Sequence, residues 1–249
     1  MCRNPLSQFL CSEWYVLFRS ANADPSEPST SAFCDMTLDC DGVVGGWRQI
    51  ADINPEIECP EGFIQLSFFG FACLSESGRV GPGCLLSLPF PVNDIEYSQV
   101  CGRITGQRGG GFLAFGVNPG ASIDDQYVEG ISITTNGSAS QPRTHIWTFA
   151  ISNLDFDGSG GCPCTSAGAA QPPNFVGSNY FCEAGGDPLW DGEGCSVADA
   201  CSCTEDQGNG PPLFLRTFDS PIAEDVEARF CADSSSDQIG FDFLQLYTR

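Results

Sequence analysis

Apolar residues occur in short runs separated by turn-forming stretches, a texture that predicts strands rather than helices. Trp14-Tyr15-Val16-Leu17-Phe18 is aromatic and β-branched and suits a buried strand by its length. Two prolines in Ala23-Asp24-Pro25-Ser26-Glu27-Pro28-Ser29 then prevent a regular ladder. Phe33-Cys34-Asp35-Met36-Thr37 and Gly46-Trp47-Arg48-Gln49-Ile50-Ala51 predict a hairpin-like pair joined by a cysteine-bearing loop.

Between Cys59 and Cys101, with Cys73 and Cys84 inside, Pro60, Pro82, Pro89 and Pro91 break up the strands, and small loops pinned to a sheet fit the pattern. From Cys101 to Cys162 the chain has no other cysteine, and the strand signals are cleanest: Gly111 to Val117, Tyr127 to Thr134 and Thr144 to Ile151. The last two flank Asn136-Gly137, a strong hairpin signal within a longer connection. After Asn153 the texture turns to Gly, Pro, Ser and Cys as far as Cys203, which predicts loop held by cross-links. Val226 to Cys231 and Ile239 to Tyr247 predict two closing strands. In the second, Phe241, Phe243 and Gln245 alternate imperfectly with Asp242, Leu244 and Leu246, as for a strand with one covered face. Internal repeats and long amphipathic helices are not evident in the pattern.

Composition adds the compartment. Fifteen cysteines share 249 residues with ten arginines, thirty-two acidic residues and no lysine. Thiols at that density persist as disulfides in an oxidising setting, so a secreted, extracellular protein is expected. A net charge of −22 disfavours nucleic acid and anionic membranes, leaving cationic partners, calcium and mineral surfaces. Charged residues are only 17% of the chain while 41% are hydrophobic, which predicts a packed core and not a disordered polyanion. No apolar run reaches the ~20 residues that span a bilayer, so no membrane insertion is expected. Residues 1–20 lack an uninterrupted apolar h-region, so the expectation is a removed export signal or a truncated start.

Cys11 with Trp14-Tyr15-Val16-Leu17, then Phe33-Cys34-Asp35-Met36, then Gly45-Gly46-Trp47 resembles the opening of fibrinogen-related and intelectin-type lectin domains. The resemblance implies a Cys11 to Cys34 disulfide and a buried Trp47. It departs from the family in a longer gap before Gly45, in the extra Cys40, and in lacking a recognisable carboxy-terminal calcium and ligand segment. Tyr97-Ser98-Gln99-Val100-Cys101-Gly102, Pro142-Arg143-Thr144-His145-Ile146-Trp147-Thr148-Phe149, Cys162-Pro163-Cys164, Asn179-Tyr180-Phe181-Cys182 and Pro188 to Cys195 resemble a cysteine-rich extracellular module of sponge and cnidarian proteins. The expected fold is a mainly β, disulfide-stapled module over residues 1–249: a fibrinogen-like segment (1–58), a central sheet region (59–152), and cysteine-rich loops with the last strands (153–249).

Asn153, Asp155 and Asp157 place oxygen ligands at positions 1, 3 and 5 of an EF-hand-type loop with Gly158 at 6, but position 12 is Cys164; calcium competes there with an Asx-rich turn. Asp187, Trp190, Asp191 and Glu193 offer ring stacking and hydroxyl hydrogen bonds to a sugar, against a Trp190 simply packed under a turn. His145, the single histidine, reads as a packed or hydrogen-bonded imidazole in a strand, and the sequence carries no nucleophile elbow or phosphate loop, so no enzyme is expected. Cys162, Cys164, Cys201 and Cys203 suit disulfides better than zinc, and Asn136-Gly137-Ser138 is an N-glycosylation sequon. The odd cysteine count leaves at least one without an intrachain partner; Cys2 is the leading candidate for an intermolecular bridge, and a partner cysteine lost through truncation before Met1 explains the count equally well. The expected function is lectin-like recognition of glycans or glycoproteins, calcium-assisted at the Asp155 loop. The alternative is a structural matrix protein that assembles into a homo-oligomer or filament or lines a mineral.

Overall fold

A computed structural model describes residues 13–17, 30–67, 71–76, 83–109, 123, 127–137, 142–152, 172–184, 189–190 and 213–249. These residues hold strands and turns and no helix. The strands are β1 (Glu13–Leu17), β2 (Thr30–Asp35), β3 (Asp39–Cys40), β4 (Val43–Val44), β5 (Trp47–Ile53), β6 (Phe63–Leu66), β7 (Ala72–Ser75) and β8 (Gly83–Phe90). Then follow β9 (Tyr97–Gly109), β10 (Gly130–Thr135), β11 (His145–Ser152), β12 (Tyr180–Ala184), β13 (Leu189–Trp190), β14 (Phe214–Ile222), β15 (Val226–Ala232) and β16 (Gln238–Thr248).

Two sheets share one core. The larger has nine strands and centres on β16, which pairs β9 along one edge and, on the other, β7 at Gly240–Phe241 and β5 from Leu244 to Thr248. The smaller runs β12-β11-β10-β15-β8, antiparallel except where β12 lies parallel to β11. Inward side chains of both sheets interdigitate: Phe63 and Phe241 of the larger meet Phe230 of the smaller, and Trp147 stacks on Phe214 at 5.5 Å. Gly102 makes room for this layer, because a Cβ there would lie 2.6 Å from both the Phe214 ring and the Leu246 side chain.

The hairpin expected around Asn136-Gly137 is β10–β11, and β15 and β16 occupy their expected spans. The expected pair joined by a cysteine-bearing loop is β2–β5, with Cys40 in the intervening β3–β4 hairpin. Gly45 closes that hairpin's return at φ +69°, where a Cβ would stand 2.5 Å from the Met36 carbonyl oxygen. The predicted strand at 111–117 lies outside the described residues. β12 falls inside the stretch expected to be loop; a parallel neighbour needs a long connection, and residues 153–179 supply it.

Disulfides reinforce the sheets. Cys40–Cys101 ties the β3–β4 hairpin onto β9, Cys59–Cys73 ties the chain after β5 to β7, and Cys84–Cys231 cross-links β8 to β15. Cys34 and Cys182 are also disulfide-bonded, whereas Cys11, the partner implied for Cys34, lies outside the described residues. Trp47 is fully buried, yet not in the main core. It packs with Tyr247 and the Cys40–Cys101 bridge on the outer face of the larger sheet, beneath the β3–β4 hairpin, and its Nε1–H donates to the Val43 carbonyl at 3.0 Å.

Candidate functional site

Another part of that outer face carries a groove among the described residues, and it begins at an extra residue in β16. Phe241 pairs Gly106 and Phe243 pairs Thr105, so Asp242 is a β-bulge. The bulge reverses the alternation: Ile239 and Phe241 point inward before it, Leu244 and Leu246 after it, and Phe243 and Gln245 turn to the outer face half-buried. On the opposite edge of β16, Asp242 and Phe243 sit where β7 has ended and β5 has not begun. The turn after β5 spans this notch and leaves a groove of about 670 Å³ lined by Asp52, Ile53, Asn54, Glu56, Ile57, Glu58, Asp242, Phe243 and Gln245.

The groove is pre-formed by bonds to its walls. Asn54 caps its own turn: its Oδ1 accepts from the Glu56 N–H at 2.9 Å and its carbonyl from the Ile57 N–H at 3.0 Å. Gln65 Nε2 donates to the Pro55 carbonyl, and Cys59–Cys73 holds the far end of the turn. On the β16 side a row of donors runs toward the groove. Gln49 Nε2 donates to the Tyr247 hydroxyl at 3.4 Å, Tyr247 to Gln245 Oε1 at 3.2 Å, and Gln245 Nε2 to Asp52 Oδ1 at 3.0 Å. Burial, with Asp35 and Asp52 nearby, pushes the Tyr247 hydroxyl up to about 12, so it stays a donor at neutral pH. Thr105 Oγ1 donates to Asp242, and the Arg103 guanidinium lies 5.6 Å from the Phe243 ring centre.

Chemically the groove offers an aromatic ring, an oriented amide, carboxylates and a largely exposed isoleucine, Ile57 at 80%. The lining contains no Ser, Cys or His. Nor do three of His, Cys, Asp or Glu among the described residues stand close enough to hold one metal ion. Its carboxylates are therefore spread along the walls instead of converging.

A second polar cluster lies buried on the face of the smaller sheet away from the main core. His145 is 5% exposed, its Nε2 within 2.8 Å of Thr148 Oγ1, which is 3.0 Å from Ser132 Oγ. Burial, with Arg216 as a secondary cause, lowers the imidazole pKa to about 3, so the ring is neutral at physiological pH. Beside it Glu227 accepts from Thr134 Oγ1 and pairs with Arg143. His145 is thus the packed, hydrogen-bonded imidazole that its strand context predicts.

The residues singled out from sequence fall elsewhere. Trp190 is in β13, paired through its backbone with Gly106 on the side of β9 away from β16. Asp187, Asp191 and Glu193 lie outside the described residues, as do Asn153, Asp155 and Asp157 of the calcium loop, and Cys2. Asn136 is half-buried just past β10, its backbone N–H donating to the Asp225 carbonyl at 2.5 Å, while Ser138 of the sequon lies outside the described residues. Sequence reasoning passed over Asp52 to Glu58, although Ile57 between two glutamates after an Asn54-Pro55 turn was a local signal of an exposed apolar residue. No family model, curated protein or solved structure matches the chain.

Proposed function

We propose that this chain is a secreted, lectin-like recognition module that binds glycans or glycoproteins in the groove between the turn after β5 and the bulge of β16. The observation that carries the reading is the pairing of an outward aromatic ring, Phe243, with an oriented amide and carboxylate, Gln245 and Asp52, in a groove of about 670 Å³. Ring faces stack on the C–H faces of sugars, and fixed amide and carboxylate groups take up hydroxyls in defined directions. The preset turn lowers the ordering cost of binding. Eight described cysteines, all disulfide-bonded, suit an oxidising extracellular setting. The resemblance of residues 11–47 to the opening of fibrinogen-related lectin domains points the same way, and calcium at Asn153, Asp155 and Asp157 is the assisting ion of this reading.

A glycan array probed with the full chain, in calcium and again in chelator, tests the proposal. Binding to a defined set of glycans that is lost in Phe243→Ala is the expected result. No glycan bound in either condition would reject it.

A further inference from the structure

We infer that the groove prefers a cationic glycan, one bearing free amines, over neutral or sulfated ones; this rests on the glycan-recognition reading and names its ligand class. The groove combines apolar contact from Ile57 and Phe243 with four carboxylates, Asp52, Glu56, Glu58 and Asp242, and no lysine or arginine lines it. Asp52 accepts from a neutral donor, Gln245, and Asp242 accepts from Thr105. Glu56 and Glu58 stand exposed on either side of Ile57. An apolar side chain four-fifths exposed between two carboxylates matches a ligand with carbon-bound hydrogens and positive charge in alternation, as along a polymer of amino sugars.

The alternatives fit less well. A metal ion needs converging oxygens, and these carboxylates do not converge. A sulfated glycan meets like charge in the groove and a protein of net charge −22 around it. A second copy of the chain has no lysine to offer, and five of its described arginines, Arg48, Arg103, Arg143, Arg229 and Arg249, already have partners within the chain.

The test is titration calorimetry of the full chain, below the amine pKa, against deacetylated glucosamine oligomers, their fully N-acetylated counterparts, heparin and oligolysine. The expected result is binding of the deacetylated oligomer at least about tenfold tighter than of the acetylated one, a preference that shrinks at about 0.5 M salt. The surface double variant Glu56→Gln/Glu58→Gln, with an unchanged circular dichroism spectrum, should lose most of that preference. Equal affinity for both oligomers, tighter heparin binding, or an intact preference in the double variant would overturn the inference. Oligolysine binding as tight as the deacetylated oligomer would overturn it in favour of a basic polypeptide ligand. Acetylated oligomers bound equally well and lost in Phe243→Ala would leave glycan recognition standing and remove only the charge preference, whereas no binding of any glycan would remove both.

Discussion

The Tyr247 hydroxyl donates to Gln245 Oε1, two residues away on the same strand, and thereby fixes which end of the Gln245 amide faces Asp52. With Oε1 engaged, only Nε2 is left to meet the carboxylate. Tyr247→Phe removes this orientation while keeping the ring buried beside the Cys40–Cys101 bridge. The expected cost is about 1 kcal/mol of stability and a several-fold loss of glycan affinity, read by thermal melts and calorimetry.

Tyr247 also sets an alkaline limit. Its folded pKa is raised from 10.0 to about 12, so the unfolded chain loses this proton first as pH rises. The stabilisation is whole below pH 10 and is lost progressively up to about 12. Denaturant melts between these values should show a shallower decline for Tyr247→Phe than for the wild type; parallel curves would refute the assignment.

At the acid end the sign is set by His145. Its folded pKa lies at about 3 against an ordinary 6.5, so the unfolded chain binds the proton first as pH falls. Stability from this site is complete above about 6.5 and drains away toward 3, at about 1.4 kcal/mol per pH unit at most. His145→Gln, which keeps a hydrogen-bonding group near Thr148, should flatten that limb in melts followed by near-ultraviolet circular dichroism.

Two glycines are predicted to be intolerant for different reasons. Gly102→Val drives methyl groups into the Phe214 and Leu246 side chains and should cost about 1–3 kcal/mol through overpacking. Gly45→Ala combines a positive φ with a backbone collision at Met36, and should loosen the hairpin over Trp47, read as a red shift of tryptophan fluorescence.

Removing Cys59–Cys73 separates stability from binding. The bridge closes a short loop, of sequence separation 14, and its loss through Cys59→Ala/Cys73→Ala should cost about 2–4 kcal/mol. Because the same bridge holds the groove's turn, glycan affinity of the folded fraction should fall as well. Cys84→Ala/Cys231→Ala, whose bridge joins β8 to β15 within the smaller sheet, should lower stability without that loss.

Legibility in the sequence followed the density of apolar residues. β10, β11 and β15 are dense and β-branched, and they stand out. β9, with Gly102, Arg103, Gly106, Gln107 and Arg108 in its run, gives little apolar signal, though it is the longest strand among the described residues and joins β13, β14 and β16. The broken alternation from Phe241 to Leu246 was visible, but its cause, an extra residue against β9, exists only once the two strands are paired. The groove was hidden for the same reason, since Asp52 and Gln245 become neighbours only through the β5–β16 register.

Cysteine density, acidity and the short β-branched runs by themselves determined a cross-linked, mainly β protein suited to an oxidising environment, because these properties depend on local propensity and summed charge. Tertiary structure alone decided that Trp47 serves a second, outer cluster, that Cys84 bonds Cys231, and that an aromatic ring faces an acidic groove. Strand partners and register are set by burying two sheet faces against each other at once, and that collective condition is written in no single segment of the chain.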